Sequence, residues 1–379
     1  MKKIAFVGAG FASAVLARNI VENSSFEAVV FDSRSHIAGN CYTERENDIM
    51  IHKYGPHIFN TSNKDVWDYV NSFVEFIPYI NRVKAVIPKG IFSMPINLHT
   101  INQFFNKQFN PIEAKEFIKN IGDSNIENPS SFEETALKMI GKDLYDSFFK
   151  GYTKKQWGVE PKDLPASILK RLPVRFDYND NYYNQKFQGI PINGYTDLIN
   201  KILDHQKIKI KLNTFFTNEM LNDFDHVFYS GPLDKFFNYS EGDLGYRTIR
   251  FEKFELQGDY QGNAVINYCD ENIPFTRITE HKHFTPWEQH ENTICFKEFS
   301  EQADRNTEPY YPVRLEKDIM ILKKYINLVN STNKLTFIGR LGTYRYLDMH
   351  IVIEESLKLA KICSSTEINQ WPKFSNNPI

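Results

Sequence analysis

Gly8-Ala9-Gly10-Phe11-Ala12-Ser13 is a glycine-rich turn closing on a small residue, and Asp32 stands roughly twenty residues further on. The chemistry that suits this spacing is dinucleotide binding. The first glycine permits a tight turn, and the second lets the backbone approach a pyrophosphate at a helix N-terminus, where unpaired N–H groups and the helix dipole favour anions. An acid ending the following strand accepts a hydrogen bond from a ribose hydroxyl. Ser13 stands where Gly or Ala is usual, yet it is small enough for close packing of helix on strand. Asp32-Ser33-Arg34 leads to a second small-residue turn, Gly39-Asn40, and Gly339-Arg340 ends a late strand ahead of a helix. Both places suit closure over a flavin, and no second glycine fingerprint is present to seat a nicotinamide. FAD is therefore favoured over NAD.

A second group of residues is charged. Between Lys150 and Arg175 there are seven Lys/Arg and two Asp/Glu, in a chain whose net charge is −2. Most of these lysines read as a solvated basic face. Arg171, in a Pro-flanked segment, and Arg277 offer the planar fork that grips phosphate oxygens in pairs. Phe148, Phe149, Tyr152 and Trp157 recur at about helical spacing, which fits either a packed core stripe or a surface for stacking on a flat ligand. In Glu280-His281-Lys282-His283 the two imidazoles would share one face of a strand without a third ligand, so no metal site is expected.

The elements that must hold these groups follow from hydrophobic spacing. Residues 3–7 form a short apolar run suited to a buried parallel strand, Phe11 to Val21 is apolar at helical spacing, and residues 28–31 form a second strand, a βαβ opening. From about Ile101 to Phe149 the pattern is amphipathic helix, as in Thr135-Ala136-Leu137-Lys138-Met139-Ile140-Gly141. Leu164 to Tyr183 is rich in Pro and Arg and ends in a polar aromatic run. About 251–299 alternates in strand fashion, including Asn263 to Tyr268. A strand over 335–339 precedes a helix over 349–362, with Asp348 as its N-cap, and the last dozen residues read as a loose tail. A hydrophobic share of 41% with 24% charged residues excludes wholesale disorder. The near-neutral charge without a basic block argues against nucleic-acid coating or polybasic membrane binding. No apolar run is long enough to span a bilayer. Cys41, Cys269, Cys295 and Cys363 form no CxxC, which fits a soluble, cytoplasmic, reducing setting. The aromatic share of 15% is core material or ligand-stacking surface, and composition does not choose between them.

Several segments in order carry a family resemblance. They are His52-Lys53-Tyr54-Gly55-Pro56-His57-Ile58-Phe59, Lys150-Gly151-Tyr152-Thr153-Lys154-Lys155-Gln156-Trp157-Gly158 and Leu169-Lys170-Arg171-Leu172-Pro173-Val174-Arg175-Phe176. Downstream follow Tyr268 with Thr276-Arg277-Ile278-Thr279-Glu280-His281-Lys282, then Pro309-Tyr310-Tyr311-Pro312, and the run Gly339 to His350. Over about Lys3 to Lys361 the chain resembles the bacterial UDP-galactopyranose mutases. Ser13 and Ala38 stand where that family usually has glycine.

The resemblance implies an α/β fold: a discontinuous FAD-binding Rossmann-like domain (1–78, 188–235, 325–370), a helical insertion domain (97–165) and an antiparallel β-sheet substrate domain (79–96, 166–187, 236–324). It implies interconversion of UDP-galactopyranose and UDP-galactofuranose on reduced FAD without net redox change. Flavin N5 attacks the anomeric carbon, UDP leaves, and the flavin–sugar adduct opens and recloses on a different hydroxyl. Arg171, Arg277 and His57 would be catalytic. Gly8, Gly10, Phe11, Ala12, Ser13, Asp32, Arg34, Gly39, Asn40, His57, Ile58, Gly339, Arg340, Asp348, Met349 and His350 would hold the cofactor. Tyr152 would stack on uracil beside Phe148 and Phe149, with Thr153, Trp157 and Asn267 toward the uridine diphosphate. Tyr182, Tyr311 and Tyr346 would donate to phosphates, and Asn81, Glu298 and Asp348 would line the sugar end. The family also suggests a homodimer that supplies galactofuranose for cell-surface polysaccharide. Two other readings share these residues: a flavin-dependent oxidoreductase of the amine-oxidase type, and a catalytically inert nucleotide-sugar-binding protein.

Overall fold

The computed structural model describes residues 2–166 and 174–379; Arg171 lies outside the described residues. The apolar run Lys3–Val7 is the central strand of a five-stranded parallel sheet, in the order Ile208–Lys211, Glu27–Phe31, Lys3–Val7, His226–Tyr229, Leu335–Phe337. A parallel sheet is covered on its faces, so its central strands are apolar rather than alternating. The helix Phe11–Glu22 is buried along most of its surface by Ala12, Ala14, Val15, Leu16, Ala17 and Ile20. Its alanines allow it to pack closely against the helices Gly194–Leu203 and Met349–Ser365. Ser13 is fully buried in this helix, and its hydroxyl has no hydrogen-bond partner.

The second sheet has seven strands, in the order Tyr311–Pro312, Tyr246–Gln257, Asn292–Gln302, Arg277–Glu280, Val265–Tyr268, Val83–Ile87, Gly90–Met94. Every neighbouring pair is antiparallel except Val265–Tyr268 with Val83–Ile87, which run parallel. Helices Leu98–Phe105, Pro111–Ile121, Phe132–Leu144 and Gly151–Trp157, with a π-helical turn over Tyr145–Lys150, lie between the two strand-rich parts of the chain. Among the described residues no helix is long and apolar enough to cross a membrane, and all four cysteines are free thiols.

Three local expectations change. His281–Phe284 is a 3-10 turn rather than a strand, because the chain leaves the sheet after Glu280. Asp348 does occupy the N-cap of Met349–Ser365, but its side chain makes no capping bond. The tail is not loose. Trp371 is buried and stacks on Phe228 with ring centroids 5.4 Å apart. The Phe337 N–H donates to the Lys373 carbonyl at 2.8 Å and the Ser375 N–H to the Phe337 carbonyl at 2.9 Å. The tail thus covers the sheet edge at Leu335–Phe337, whose backbone groups would otherwise lack partners.

Candidate active site

The glycine turn is held shut by its own acid. The Ala9 N–H donates to Asp32 Oδ2 at 2.8 Å, the Arg34 N–H to Oδ1 at 2.9 Å, and the Ala38 N–H to the Ala9 carbonyl at 2.8 Å. Gly8 has φ +93, and a Cβ there would lie 2.2 Å from Ser230 Oγ. Ala38, in place of the family's glycine, sits in the left-handed region at φ 72, a conformation that costs a non-glycine residue ~1–2 kcal/mol. Above the turn opens a cavity of about 1170 Å³. Gly8, Gly10, Phe11, Ala12, Asp32, Arg34, Gly39, Asn40, Gly339, Arg340 and Met349 all line it. Ser13, His57, Ile58, Asp348 and His350 do not.

One guanidinium nitrogen of Arg34, Nη1, is buried without a partner, and the cavity admits a ligand with acceptors to meet it. The residues present therefore fit a dinucleotide. Thr214 to Glu219 and Asp304 to Glu308 also line the cavity. They are brought there by tertiary packing and carry no recognisable motif.

The second half of the site is set by strand register. Arg277 pairs across the ladder with Asn267 on one side and Glu298 on the other, and residues directly opposite share a face. Register thus puts residues distant in sequence into one row. Arg277 Nε lies 3.1 Å from Glu298 Oε2, and Glu298 also accepts from Thr279 Oγ1 at 3.1 Å. Burial pushes the Glu298 carboxyl up, with Arg277 and Thr279 pulling it back. Burial also opposes the charge on Arg277, but Glu298 and the phenols of Tyr152, Tyr311 and Tyr182 outweigh it and hold the guanidinium well above its usual value.

Arg277 Nη2 donates to Tyr152 Oη at 3.4 Å. Tyr311 and Tyr346 stack with centroids 5.4 Å apart, and Arg340 lies over both rings. Burial raises the Tyr152 and Tyr182 hydroxyls and pushes Tyr311 up to about 12. They remain O–H donors at neutral pH, which is what an anionic ligand requires.

Tyr152, Trp157, Asn267, Arg277, Tyr182, Tyr311 and Tyr346 are all half-buried, as suits side chains presented to a ligand. Asn81 is buried, and its carbonyl accepts from the Tyr182 N–H at 2.9 Å. Asp348 is exposed near Tyr183, and Thr153 is buried. Phe148 is 1% exposed, with its ring packed on Phe92 and Phe104 at 5.4 and 5.5 Å; Phe149 is buried in the same cluster, and Tyr152 packs against it.

His57 stands where the two halves meet, within reach of the charges of Arg340 and Arg277. Burial, then those two arginines, push its pKa down to about 4 against the pull of a bond to Gly55. Nδ1 lies 2.7 Å from the Gly55 carbonyl. A carbonyl only accepts, so Nδ1 carries the proton and Nε2 is the free acceptor.

Behind His57 runs a chain that its neighbours' spacing in sequence does not reveal. The His57 N–H donates to His52 Nδ1 at 3.1 Å, and the His52 N–H donates to His281 Nδ1 at 3.2 Å. His52 is held well below its usual value, and His281 is pushed down to about 3, as is the distant His226; burial is the leading cause in all three. The unfolded chain takes up these protons below pH ~6.5, whereas the fold refuses them until about pH 4 to 3. Stability is therefore complete above pH ~6.5 and falls as pH drops from there toward the folded-state values. Calorimetry should show Tm falling from pH 6.5 to 4.5 with net proton uptake on unfolding; a flat Tm contradicts this assignment.

His283 has neighbours that the sequence did not disclose. Ligand atoms of Asp259, Glu280 and His283 lie within 4.8 Å of one another. Glu280 already accepts three backbone N–H groups, from Tyr260, Gln261 and Gly262, and the Lys282 ammonium sits 2.6 Å from Asp259. The group staples a loop.

Residues 147–346 match the family model described as UDP-galactopyranose mutase, and residues 7–73 match that of the NAD(P)-binding Rossmann-like domain. A Klebsiella pneumoniae protein named "Probable UDP-galactopyranose mutase" is 56% identical over 371 residues, covering 97% of this chain and 96% of that one. An Escherichia coli protein named "dTDP-fucopyranose mutase" is 49% identical over 371 residues, covering 96% and 98%. A solved structure described as "Crystal structure of reduced UDP-Galactopyranose mutase" superposes with a TM-score of 0.75 at 14% identity, covering 100% of this chain and 96% of that one, which is a likeness of fold. With the family model spanning the arginine row, and near-full-length relatives at 56% and 49% identity, the chain belongs to the UDP-galactopyranose mutase family and is an isomerase.

Proposed function

We propose that this enzyme interconverts UDP-galactopyranose and UDP-galactofuranose on reduced FAD. The observation that carries the reading is the Asn267–Arg277–Glu298 row with Tyr152 bonded to Arg277, set beside the dinucleotide cradle through His57. Reduced FAD would supply the nucleophile for the anomeric carbon. The chain's own residues do the rest. Arg277, aimed by Glu298, neutralises the diphosphate as it departs, and the hydroxyls of Tyr182, Tyr311 and Tyr346 donate to its oxygens. Tyr152 and Trp157 hold the uridine end. His57, neutral at physiological pH, offers Nε2 as an acceptor at the cofactor's reacting edge. Arg171 joins the phosphate set on resemblance, as do Asn81 and Asp348 at the sugar and the remaining cofactor contacts named above. The same resemblance supports a cytoplasmic homodimer feeding cell-surface polysaccharide.

An amine oxidase has a cationic substrate, and a buried guanidinium held in its charged form would repel it. That oxidoreductase reading is therefore disfavoured. The E. coli relative's name favours a second reading within the family, a deoxythymidine-diphosphate 6-deoxy sugar as substrate. Purified protein with bound, dithionite-reduced FAD should convert UDP-galactofuranose to the pyranose. A higher kcat/KM on dTDP-fucofuranose in the same assay would assign the second substrate, and conversion of neither would overturn the mutase reading.

A further inference from the structure

Lys155 ends in a cage of backbone carbonyls. Its Nζ donates to the carbonyls of Tyr268, Asp270, Ile273 and Phe275 at 2.7, 2.8, 2.9 and 3.0 Å. An ammonium has three N–H groups, so four converging acceptors saturate it. Burial lowers its pKa to about 8, against the pull of Cys269, Asp270 and Glu271. At neutral pH the side chain thus stays the cation that such a cage needs.

The carbonyls of Asp270, Ile273 and Phe275 belong to the turn joining the strand that bears Asn267 to the strand that begins at Arg277, and Tyr268 is the last residue of the first strand. Lys155 itself lies on Gly151–Trp157, three residues beyond Tyr152. Helix and turn meet closely: a Cβ on Gly151 would lie 2.5 Å from the Cys269 carbonyl. The side-chain bond between the two elements inside the site, Arg277 Nη2 to Tyr152 Oη, is long at 3.4 Å. It is too weak to fix their spacing by itself.

We propose that Lys155 is a positioning residue of the nucleotide-diphosphate site, whose ammonium fixes the helix carrying Tyr152 against the hairpin carrying Asn267 and Arg277. This rests on the UDP-sugar reading above. Lys155 touches no reacting atom, so its loss acts on nucleotide binding rather than on the chemical step. The neighbouring Lys154 makes exposed ion pairs with Glu160 and Glu271, and serves as the control because such pairs contribute little.

The test uses flavin-loaded protein, UDP titration and amide hydrogen exchange. Lys155→Met should raise the UDP Kd and the sugar-nucleotide KM roughly tenfold, with kcat within about twofold. Exchange over 268–276 should quicken while flavin content is kept, and Lys154→Met should behave as the unsubstituted protein. Should the Met variant not fold, Lys155→Arg keeps the charge but cannot converge on four acceptors, and should shift both readouts the same way by less. Unaltered UDP affinity or unaltered exchange in a folded Lys155 variant overturns the proposal while leaving the UDP-sugar reading intact. Failure of the unsubstituted protein to bind UDP overturns that reading, and the proposal with it.

Discussion

Arg277→Ala should lower kcat/KM for the sugar nucleotide by about 10- to 100-fold or more, because on the proposed reading the guanidinium supplies charge-assisted hydrogen bonds of ~1.5–3 kcal/mol each to the leaving diphosphate. The substitution also strands Glu298, which is 2% exposed. Removing one member of a buried pair costs about 3–5 kcal/mol, so Tm should fall as well. The two effects separate in Arg277→Ala/Glu298→Ala, where no carboxylate is left unpaired. There Tm should recover in part, while turnover should not. Arg277→Lys keeps a charge but loses the fork, and should fall between the unsubstituted protein and Arg277→Ala. Steady-state kinetics beside thermal melts of the three variants check this. Activity that recovers along with Tm in the double variant would place Arg277 outside the chemistry.

Gly8→Ala should abolish or nearly abolish flavin binding. Its φ of +93 is unfavourable to any residue with a Cβ, and that Cβ would lie 2.2 Å from Ser230 Oγ. The strain alone amounts to ~1–2 kcal/mol. The contact adds to it, because Ser230 Oγ would have to give up its bond to the Val7 carbonyl, at 2.7 Å, to move aside. Gly8→Ala/Ser230→Ala removes the contact but not the strain, so flavin occupancy should return in part. Flavin absorbance per chain after purification is the measurement, and full occupancy in Gly8→Ala would contradict the assigned cradle.

What could be read from residues was whatever is local. The glycine turn, its flanking strand and helix, and Asp32 lie within one βαβ unit, where spacing alone fixes geometry. The order of longer motifs carried the family. What depends on register or on distant packing was not legible. The Asn267–Arg277–Glu298 row exists because three strands align in one register, which the sequence pattern of each strand leaves open. The His52–His281 bond and the Lys155 cage each join a side chain to backbone groups far away in sequence, and backbone atoms leave no trace in residue identity. Phe148 and Tyr152 share helical spacing, yet Phe148 is buried while Tyr152 is half-buried with its hydroxyl on Arg277, a difference set by packing that spacing leaves open. Polar, proline-containing composition at the C-terminus suggested a tail, but Trp371 and two backbone bonds suffice to dock it.

On the proposed reading, the site handles a sugar nucleotide over a reduced cofactor and returns that cofactor unchanged. The direct test is stoichiometric: protein with bound FAD, reduced once under anaerobic conditions, is given excess UDP-galactofuranose with no further reductant. The account predicts many pyranose molecules formed per flavin, with the flavin still reduced at the end. No pyranose, or at most one product per flavin with the flavin oxidised in step, would contradict it.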